Sequence, residues 1–568
     1  MKILLAAVNS KFIHSNPAVR LLKAYAGEMP DGVRILIREF TINQFEEEVL
    51  ARLYREHPDV ILFSCYIWNW SFIRGLFEDL KKILPGTQIW LGGPEVSFDP
   101  EDILNRHPNV EGILLGEGEA VFRSLVLDYF AGGQKNLSRI RGLCIRSPHP
   151  VRTEPAPLLS MDEVPFIYDE ETLSELDHRI LYYETSRGCP FGCSYCLSST
   201  EKTVRLRSLD KVFRELQFFL DHKIPQVKFV DRTFNIDHAH TMGILRYLTE
   251  HDNGVTNFHF EIAGDLLTEE ELTLMSGMRP GLIQLEIGVQ STNPDTLRSI
   301  RRKTDLNRLK EHVERILEMG NIHLHLDLIA GLPFEGYQSF AKSFNDVYAM
   351  RPTQLQLGFL KVLKGSPLEE EAEKWKILHR TDPPYEVLQS GWLDYEEILK
   401  LKRIEEMVEL YYNSSQFTRT IRALEEDFDT PFSMYEKLAN YYEAEGCVLN
   451  SPSREYRYLI LLDFAVQNCP EKRELYEELL LFDLYLRENL KKRPSFAKEE
   501  KAGKDMLRKL RKNRNCHAEA FYYPVYDTDP KKLTVKSKEP VIVLFDYENR
   551  SPLDHNSSIS ILKTDASV

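Results

Sequence analysis

The sequence is poor in cysteine, with eight among 568 residues. Five of them stand far apart along the chain: Cys65, Cys144, Cys447, Cys469 and Cys516. This scatter argues against a disulfide framework. The other three fall in "RGCPFGCSYC", residues 187–196, at the spacing Cys-x-x-x-Cys-x-x-Cys. Clustered thiols in a chain with few others predict metal or redox chemistry.

Long apolar runs and an excess of positive charge are also lacking. No apolar run approaches the roughly 20 residues that a membrane helix needs, so we expect no membrane span. The opening "MKILLAAV" leads into polar "NSKFIHSN" without a cleavage-type sequence; we interpret it as a β-strand and expect a cytoplasmic protein. The formal net charge of −15 disfavours a surface broadly attracted to phosphate backbones.

Residues 1–132 alternate short apolar runs with amphipathic stretches. The runs are "KILLAAV", "VRILIREF", "DVILFSCY", "QIWLGG" and "GILLGEG". Five such units predict an α/β domain with a doubly wound, Rossmann-like parallel sheet. Ligands of this fold bind at the carboxyl ends of the strands. Four candidate binding residues lie in the loops there: Ser64, Gly92, Gly93 and Glu117.

Three further regions follow that domain. Residues 133–180 are rich in proline toward their end and suit an extended linker. Residues 181–375 contain six candidate strands separated by helical stretches, which predicts a partial (β/α)6 barrel with its active site at the strands' carboxyl ends. Residues 376–568 predict a mainly helical domain with a basic segment, 491–514, and a small terminal extension around "VIVLFDYENR".

The three clustered cysteines directly follow the first barrel strand. Structural zinc usually takes four protein ligands, whereas a four-iron cluster held by three thiolates leaves one iron free. We therefore predict an open metal site at Cys189, Cys193 and Cys196, with Tyr195 shielding it. A zinc site completed by a distant ligand such as His178 is the alternative.

The motif resembles that of the radical S-adenosylmethionine superfamily, which also places an aromatic residue before the third cysteine. The resemblance implies a [4Fe-4S] cluster whose free iron binds S-adenosylmethionine, and a 5'-deoxyadenosyl radical as product. It also implies S-adenosylmethionine contacts in "KFVDRTFN", "LEIGVQS" and "DLIAGLPFE", where the candidates are Asp231, Arg232, Glu286, Gln290 and Asp327. Asp231 and Arg232 stand where the family more often has Gly-Gly-Glu.

The N-terminal domain is similar to the cobalamin-binding domains of that superfamily's methyltransferase and cyclase branch. "LGGPEVS" and "LLGEGEAVF" carry this likeness. It implies cobalamin as a cofactor, with Gly92 and Gly93 approaching the corrin and Ser64 contacting the nucleotide tail. The sequence has no Asp-x-His-x-x-Gly, so we expect the lower cobalt face to lack a histidine; a loop histidine such as His14 more often forms an ordinary hydrogen bond. The C-terminal region resembles a domain of unknown function attached to such enzymes.

The resemblance implies a cobalamin-dependent radical enzyme that methylates an unactivated carbon of an unknown substrate, through a 5'-deoxyadenosyl radical and methylcobalamin. Two alternatives are a cyclase or rearrangement enzyme that uses cobalamin as an electron carrier, and a non-catalytic cobalamin-responsive binding protein. The expected partners are a small-molecule substrate, or RNA held by the basic segment, and an electron donor such as flavodoxin or ferredoxin.

Overall fold

The computed structural model describes residues 1–133, 136–146, 148–447, 452–497 and 515–562. The N-terminal domain is built on a seven-stranded sheet in the order β2-β1-β3-β4-β5-β6-β7. Its strands are β1 Lys2–Asn9, β2 Arg34–Thr41, β3 Val60–Ser64, β4 Gln88–Gly92, β5 Gly112–Leu114, β6 Leu143–Arg146 and β7 Pro150–Arg152. Its helices are α1 Pro17–Ala26, α2 Glu46–Glu56, α3 Trp70–Ile83, α4 Pro94–Ser97, α5 Pro100–Arg106 and α6 Gly118–Ser124, the last continuing as a π-helix over Leu125–Ala131.

The five predicted strands of this domain form the parallel part of the sheet. β1 and β3 are buried along almost their whole length because helices cover both faces, which is why they appear in the sequence as unbroken apolar runs. β6 and β7 add to the edge in antiparallel orientation, although they fall within the range that the sequence assigns to the linker. Each is too short to show a periodic pattern, and pairing with β5 orders them.

The second sheet has six parallel strands in the order β15-β14-β13-β12-β11-β8, which confirms the predicted partial barrel. Those strands, with a flanking pair formed by β9 and β10, are β8 Leu181–Tyr183, β9 Ser186–Arg187, β10 Arg205–Leu206, β11 Gln226–Phe229, β12 Asn257–Ile262, β13 Ile283–Gln290, β14 His323–Ala330 and β15 Gln354–Phe359. The helices of this region are α7 Glu170–Glu175, α8 Leu209–Asp221, α9 His238–Glu250, α10 Glu269–Ser276, α11 Pro294–Ser299, α12 Leu306–Met319 and α13 Tyr337–Tyr348.

The C-terminal region is mainly helical, as predicted, and its small terminal extension is a three-stranded antiparallel sheet that includes "VIVLFDYENR". Its helices are α14 Pro367–Glu371, α15 Tyr395–Val408, which continues as a π-helix over Glu409–Asn413, α16 Thr418–Glu425, α17 Pro431–Ala444, α18 Arg454–Asn468 and α19 Arg473–Arg487. Its strands are β16 Leu378–His379, β17 Val387–Gln389, β18 Cys516–Phe521, β19 Val541–Arg550 and β20 Ser557–Leu562. Short 3-10 turns occur at Leu137–Arg139, Leu197–Thr200, Phe234–Ile236, Gly264–Leu266, Pro470–Lys472 and Pro530–Lys532.

Most of the basic segment, residues 498–514, lies outside the described residues. In the part of the chain that the structure describes, no helix combines the length and the apolar character needed to cross a membrane.

Direct contacts join the N-terminal domain to the rest of the chain. His14 Nδ1 lies 2.6 Å from the Tyr182 hydroxyl on β8, which gives this histidine the ordinary hydrogen-bonding role. On the far side of the barrel, Lys364 Nζ donates to Asp99 Oδ2 at 3.0 Å. These contacts hold the carboxyl edge of the first sheet against the barrel.

Candidate active site

The loop that carries the three cysteines is shaped by backbone contacts. Gly188 has φ +97°, and a Cβ at this position would lie 2.2 Å from the Thr203 carbonyl oxygen, so only glycine fits. The Cys189 amide donates to the Glu201 carbonyl at 2.9 Å, and the Cys196 amide donates to the Cys193 carbonyl at 3.2 Å. The loop is therefore ordered by the protein's own hydrogen bonds.

All three cysteines are free thiols that line one cavity of about 220 Å³ at the carboxyl ends of the barrel strands. Cys189 and Cys193 are 8% exposed. The Cys189 sulfur lies 3.6 Å from Thr233 Oγ1, and Arg302 Nη1 donates to the Cys193 sulfur at 3.8 Å. Burial raises the pKa of Cys193, and Arg302 opposes that rise. Three convergent sulfurs beside a buried cation fit an anionic iron-sulfur cluster.

The zinc alternative would need a fourth ligand near these sulfurs. His178 lies on an exposed turn, where its Nε2 is 3.2 Å from Asp177 Oδ2. The structure does not bring His178 to the described residues that line the cysteine cavity.

The same cavity collects most of the S-adenosylmethionine contacts predicted for the barrel. Its lining includes Tyr195, Arg232, Glu286, Gln290 and Asp327. These side chains come from the cysteine loop, from the end of β11 and from β13 and β14, where Glu286 and Asp327 lie in the middle of the strands, so the fold brings together residues that are far apart in the chain.

Asp231 takes a different position from its neighbour Arg232. Its carboxylate is buried behind the cysteine loop and accepts hydrogen bonds from the Thr185 amide at 3.1 Å, the Thr185 hydroxyl at 2.7 Å and the Ser186 hydroxyl at 2.5 Å. Burial raises the pKa of Asp231 to about 6, although these hydrogen bonds oppose the rise. Asp231 thus fastens the end of β8, where the cysteine loop begins.

Polar side chains continue below the cysteine cavity on the inner face of the barrel. Glu286 Oε2 lies 3.1 Å from Lys228 Nζ and 3.0 Å from His259 Nε2. Burial would raise the pKa of Glu286, but His259 and Lys228 outweigh it and lower that pKa to about 2. On the neighbouring strand β14, His325 Nε2 is 3.1 Å from Asp327 Oδ1. The barrel interior is thus a charged chamber, unlike the apolar core of a closed barrel.

Polar atoms in the described cavity wall are buried without a hydrogen-bond partner, and they include Gln290 Oε1 and Arg302 Nε. Gln290 is also held at φ +73°, a strained conformation for a non-glycine residue. Buried polar atoms normally find partners. A polar ligand such as S-adenosylmethionine would supply the missing ones, so the donor set fits it.

A second cavity lies between the N-terminal sheet and the barrel, and it holds the other four predicted residues: Ser64, Gly92, Gly93 and Glu117. Gly93 has φ +108°, and a Cβ there would lie 2.5 Å from the Cys65 carbonyl oxygen. Gly116 and Gly118 also line this cavity. Loops built from glycine let the backbone approach a bulky ligand, so the cavity fits a corrinoid at the edge where α/β sheets bind cofactors.

Glu117 joins the two domains beside that cavity. It forms an ion pair with Arg205 and accepts from the Leu159 amide at 3.0 Å. Next to it, Arg187 pairs with Glu119 at 2.6 Å and with Glu184 at 2.9 Å. All the carboxylates of this cluster are thus close to a guanidinium, which fixes the N-terminal domain against β9 and β10.

The two cavities meet at Arg232, which lines both. The cysteine cavity therefore opens toward the carboxyl edge of the N-terminal sheet. Two predicted cofactor sites are separated here by one side chain.

Sequence reasoning missed several residues of this region. Arg302 follows α11 in a loop with no distinctive pattern, so only folding reveals its contact with Cys193. The charged chamber did leave a signal: polar residues occupy alternate positions of the barrel strands, at Lys228, His259 and His325. That alternation places them on one face of the sheet.

Comparison with known families assigns three parts of the chain. Residues 3–126 match the B12 binding domain, residues 183–347 match the Radical SAM superfamily, and residues 373–555 match a family described as protein of unknown function (DUF4080). The chain thus combines a B12 binding domain, a Radical SAM domain and a C-terminal domain of the family of unknown function. The matched domains confirm the predicted cofactors: a [4Fe-4S] cluster, S-adenosylmethionine and cobalamin.

Individual relatives agree with these domain matches. The chain is 29% identical to a 2-(S-pantetheinyl)-carbapenam-3-carboxylate methyltransferase of Streptantibioticus cattleyicolor over 50% of this chain and 44% of that protein. It is 26% identical to the cobalamin-dependent radical SAM methyltransferase TokK of Streptomyces tokunonensis, over 57% of this chain and 50% of that protein. The chain thus spans about half the length of these two relatives.

A solved structure shares the fold. The radical S-adenosylmethionine methyltransferase TsrM from Kitasatospora setae, with a tryptophan substrate bound, superposes with a TM-score of 0.56 at 17% identity. The match covers 68% of this chain and 79% of that one.

Proposed function

We propose that this protein is a cobalamin-dependent radical S-adenosylmethionine methyltransferase that methylates an unactivated carbon of a polar small molecule. The observation that carries the proposal is the meeting of the two cavities at Arg232. A substrate between them has access to both cofactors at once. The carbapenam methyltransferase and TokK, which each match about half of the chain, support methyl transfer. Other relatives that match a similar share are anaerobic magnesium-protoporphyrin IX monomethyl ester cyclases, which keeps a cyclase as the second candidate.

The residues of the site have distinct roles in holding the cofactors. Cys189, Cys193 and Cys196 hold the cluster and leave one iron open, while Arg302 and Thr233 lie against their sulfurs. When bound, the cluster and S-adenosylmethionine supply a radical that abstracts a hydrogen atom, and cobalamin supplies the methyl group. The cavity walls position the reacting groups and exclude water, which is the protein's main contribution to such chemistry.

Most of the predicted contacts keep their roles in this proposal, and two change them. Gln290, Glu286 and Asp327 contact S-adenosylmethionine from the barrel side, and Tyr195 covers the cluster. Ser64, Gly92 and Gly93 contact cobalamin. Asp231 and Glu117 support the site from behind, since their carboxylates are already engaged with protein groups.

The charged chamber supports a polar substrate. Lys228 and three nearby histidines face Glu261, Glu286 and Asp327 across the barrel interior. An apolar substrate would leave these groups buried without solvent, which is costly. A small molecule with hydrogen-bonding groups fits this chamber, and RNA is the alternative substrate.

We also propose the boundaries 1–132, 133–180, 181–375 and 376–568 for the four regions, a cytoplasmic location, and a flavodoxin or ferredoxin as electron donor. The free state of the described cysteines supports a reducing compartment.

The proposal is tested by an anaerobic assay of protein reconstituted with cluster and cobalamin, supplied with S-adenosylmethionine and a strong reductant. We expect S-adenosylhomocysteine and 5'-deoxyadenosine together, the former only when cobalamin is present. 5'-Deoxyadenosine alone from cobalamin-loaded protein would favour the electron-carrier reading. Cys193→Ala should abolish both products, and Cys144→Ala, which changes a buried cysteine of the first sheet, should not.

A further inference from the structure

A large cavity lies at the end of the barrel opposite the cysteines. It measures about 680 Å³ and is lined mainly by three segments. The first is Arg351–Thr353, which precedes β15; the second is α16; and the third is the connection between β19 and β20. The cysteines follow the carboxyl end of β8, whereas this cavity borders the amino end of β15. It is therefore separate from both cofactor cavities.

The cavity is rich in arginine, although the chain as a whole is acidic. Four arginines line it, namely Arg351, Arg419, Arg422 and Arg550, against two carboxylates, Glu425 and Asp554. Such a concentration of guanidinium groups around one cavity creates a local positive potential in a chain whose formal net charge is −15.

Both carboxylates are already engaged by neighbouring protein groups. Glu425 pairs with Arg351 at 2.5 Å and accepts from the Tyr348 hydroxyl at 2.5 Å. Asp554 accepts from the Asn556 amide at 3.1 Å and from its side-chain nitrogen at 2.9 Å. Neither carboxylate forms an ion pair with the remaining arginines of the described cavity wall.

Arg419 and Arg422 form no ion pair with any described residue. Asp483 lies close to the start of α16, but its oxygens accept from the Arg419 and Thr420 amides at 3.0 and 2.9 Å instead. Arg419 Nε is buried and has no hydrogen-bond partner among the residues that the structure describes. Burial and the neighbouring Arg422 lower the pKa of Arg419, while Asp483 opposes this. Two neighbouring guanidiniums that form no ion pair with a described carboxylate, and whose mutual repulsion lowers the pKa of one of them, favour an anion that joins them.

We propose that this cavity binds a small molecule with a multiply charged oxyanion, either a phosphoryl group or a polycarboxylate, between Arg419 and Arg422. Arginine binds such groups through paired N–H donors. The hydroxyls of Ser415, Ser551 and Ser558 line the same cavity and supply further donors. The volume falls within the range of small-molecule sites.

The position of the site assigns it a role other than catalysis. Most of its lining belongs to the C-terminal region that matches the family of unknown function. A ligand here would join α16 to the β19–β20 connection, because both line the cavity. Binding should therefore stabilise the C-terminal domain.

The test uses the full chain and three probes at constant ionic strength: inorganic phosphate, pyrophosphate and citrate, with chloride as the reference anion. We expect at least one of the three to bind saturably by calorimetry and to raise the melting temperature. Preference for pyrophosphate would indicate a phosphorylated ligand, and preference for citrate a polycarboxylate.

Variants then locate the binding. Arg422→Gln and Arg419→Gln should each weaken binding by about tenfold or more, whereas Arg298→Gln, an exposed arginine of α11 paired with Asp295, should bind as the unmodified chain does. If Arg419→Gln does not fold, anion binding by Arg422→Gln provides the test, because Arg422 is only half-buried. Three results would overturn the proposal. The first is a response to all three anions equal to that of chloride, and the second is unchanged anion affinity in Arg422→Gln. The third is oligonucleotide binding that these variants lose and that the three anions do not compete with.

Discussion

Arg302 stands 109 positions beyond Cys193 in the chain, yet its guanidinium donates to that sulfur. A cation and hydrogen-bond donor beside a cluster ligand stabilises the reduced, more negative cluster. Arg302→Gln should therefore make the reduction potential of the cluster more negative. Potentiometric titration followed by electron paramagnetic resonance measures it. Arg298→Gln removes an exposed arginine nearby and should leave the potential unchanged; equal shifts in both variants would rule out a local effect.

Asp231 gives the protein a specific dependence of stability on pH. Burial raises its pKa in the folded state to about 6 from a usual value of 3.8. The folded state therefore holds this proton more tightly, and the contribution to stability is lost as the pH rises between these two values. Asp231→Asn removes this pH dependence, because an amide does not titrate in this range. The fold should tolerate the change, since the hydroxyls of Thr185 and Ser186 can reorient toward the amide.

We expect the difference in the free energy of unfolding between the variant and the unmodified chain to change with pH. Relative to the unmodified chain, Asp231→Asn should gain about 1 kcal/mol between pH 5 and pH 7.5. Urea unfolding of cofactor-free protein at the two pH values provides the measurement. A difference that stays constant with pH would show that Asp231 does not titrate in this range.

Residues of the site differ in how far the sequence reveals them. The cysteines are readable because their spacing within ten residues already defines a ligand set. Glu286 and Asp327 could be placed because the alternation of polar and apolar residues along β13 and β14 fixes the face of the sheet on which they lie. Arg302 and the partners of Asp231 could not, since these contacts depend on how separate loops fold back over one another.

At the scale of elements, the loop after β4 depends on Gly93. Two features of this position oppose a side chain. Gly93 has φ +108°, and an added Cβ would lie only 2.5 Å from the Cys65 carbonyl oxygen. Gly93→Ala should reduce cobalamin retention after reconstitution severalfold, because the loop must move into the cavity or away from β3. Cobalamin per protein after gel filtration, read from its visible absorbance, measures this.

Gly32 offers a matched control for that prediction. It has φ +84° but no atom within 4 Å of a Cβ, so Gly32→Ala adds backbone strain of about 1 kcal/mol without a clash. We expect normal cobalamin retention in Gly32→Ala. Equal losses in the two variants would show that strain in general, rather than the loop at the cavity, controls binding.

The strands show which elements sequence patterns predict. All five parallel strands of the first sheet and all six of the barrel were predictable, because buried runs alternating with amphipathic helices leave a clear signal. β6 and β7 were not: with four and three residues they depend on pairing with β5 rather than on their own pattern. Tertiary contact, not local preference, orders them.

At the scale of the whole molecule, Arg187 joins the two cofactor domains. It is 13% exposed and pairs with Glu119, Glu184 and, at 3.4 Å, Glu117. Arg187→Ala would leave the buried Glu119 and the half-buried Glu184 without their cation, whereas Glu117 keeps Arg205, so we expect a loss of about 3 to 5 kcal/mol in the free energy of unfolding. Arg106→Ala, which breaks an exposed pair with Asp102, should cost under about 1 kcal/mol. Urea titrations of both variants provide the comparison; similar costs would mean that Arg187 does not fasten the domains.

The most direct test of the account asks whether the two cofactors lie next to each other. Electron paramagnetic resonance of protein loaded with cob(II)alamin and a reduced [4Fe-4S] cluster detects magnetic interaction between neighbouring centres. The meeting of the cavities at Arg232 predicts that each signal is broadened or relaxes faster when both cofactors are present than when either is alone. Two unperturbed, additive signals from doubly loaded protein would contradict the shared reaction space on which the proposed methyl transfer depends.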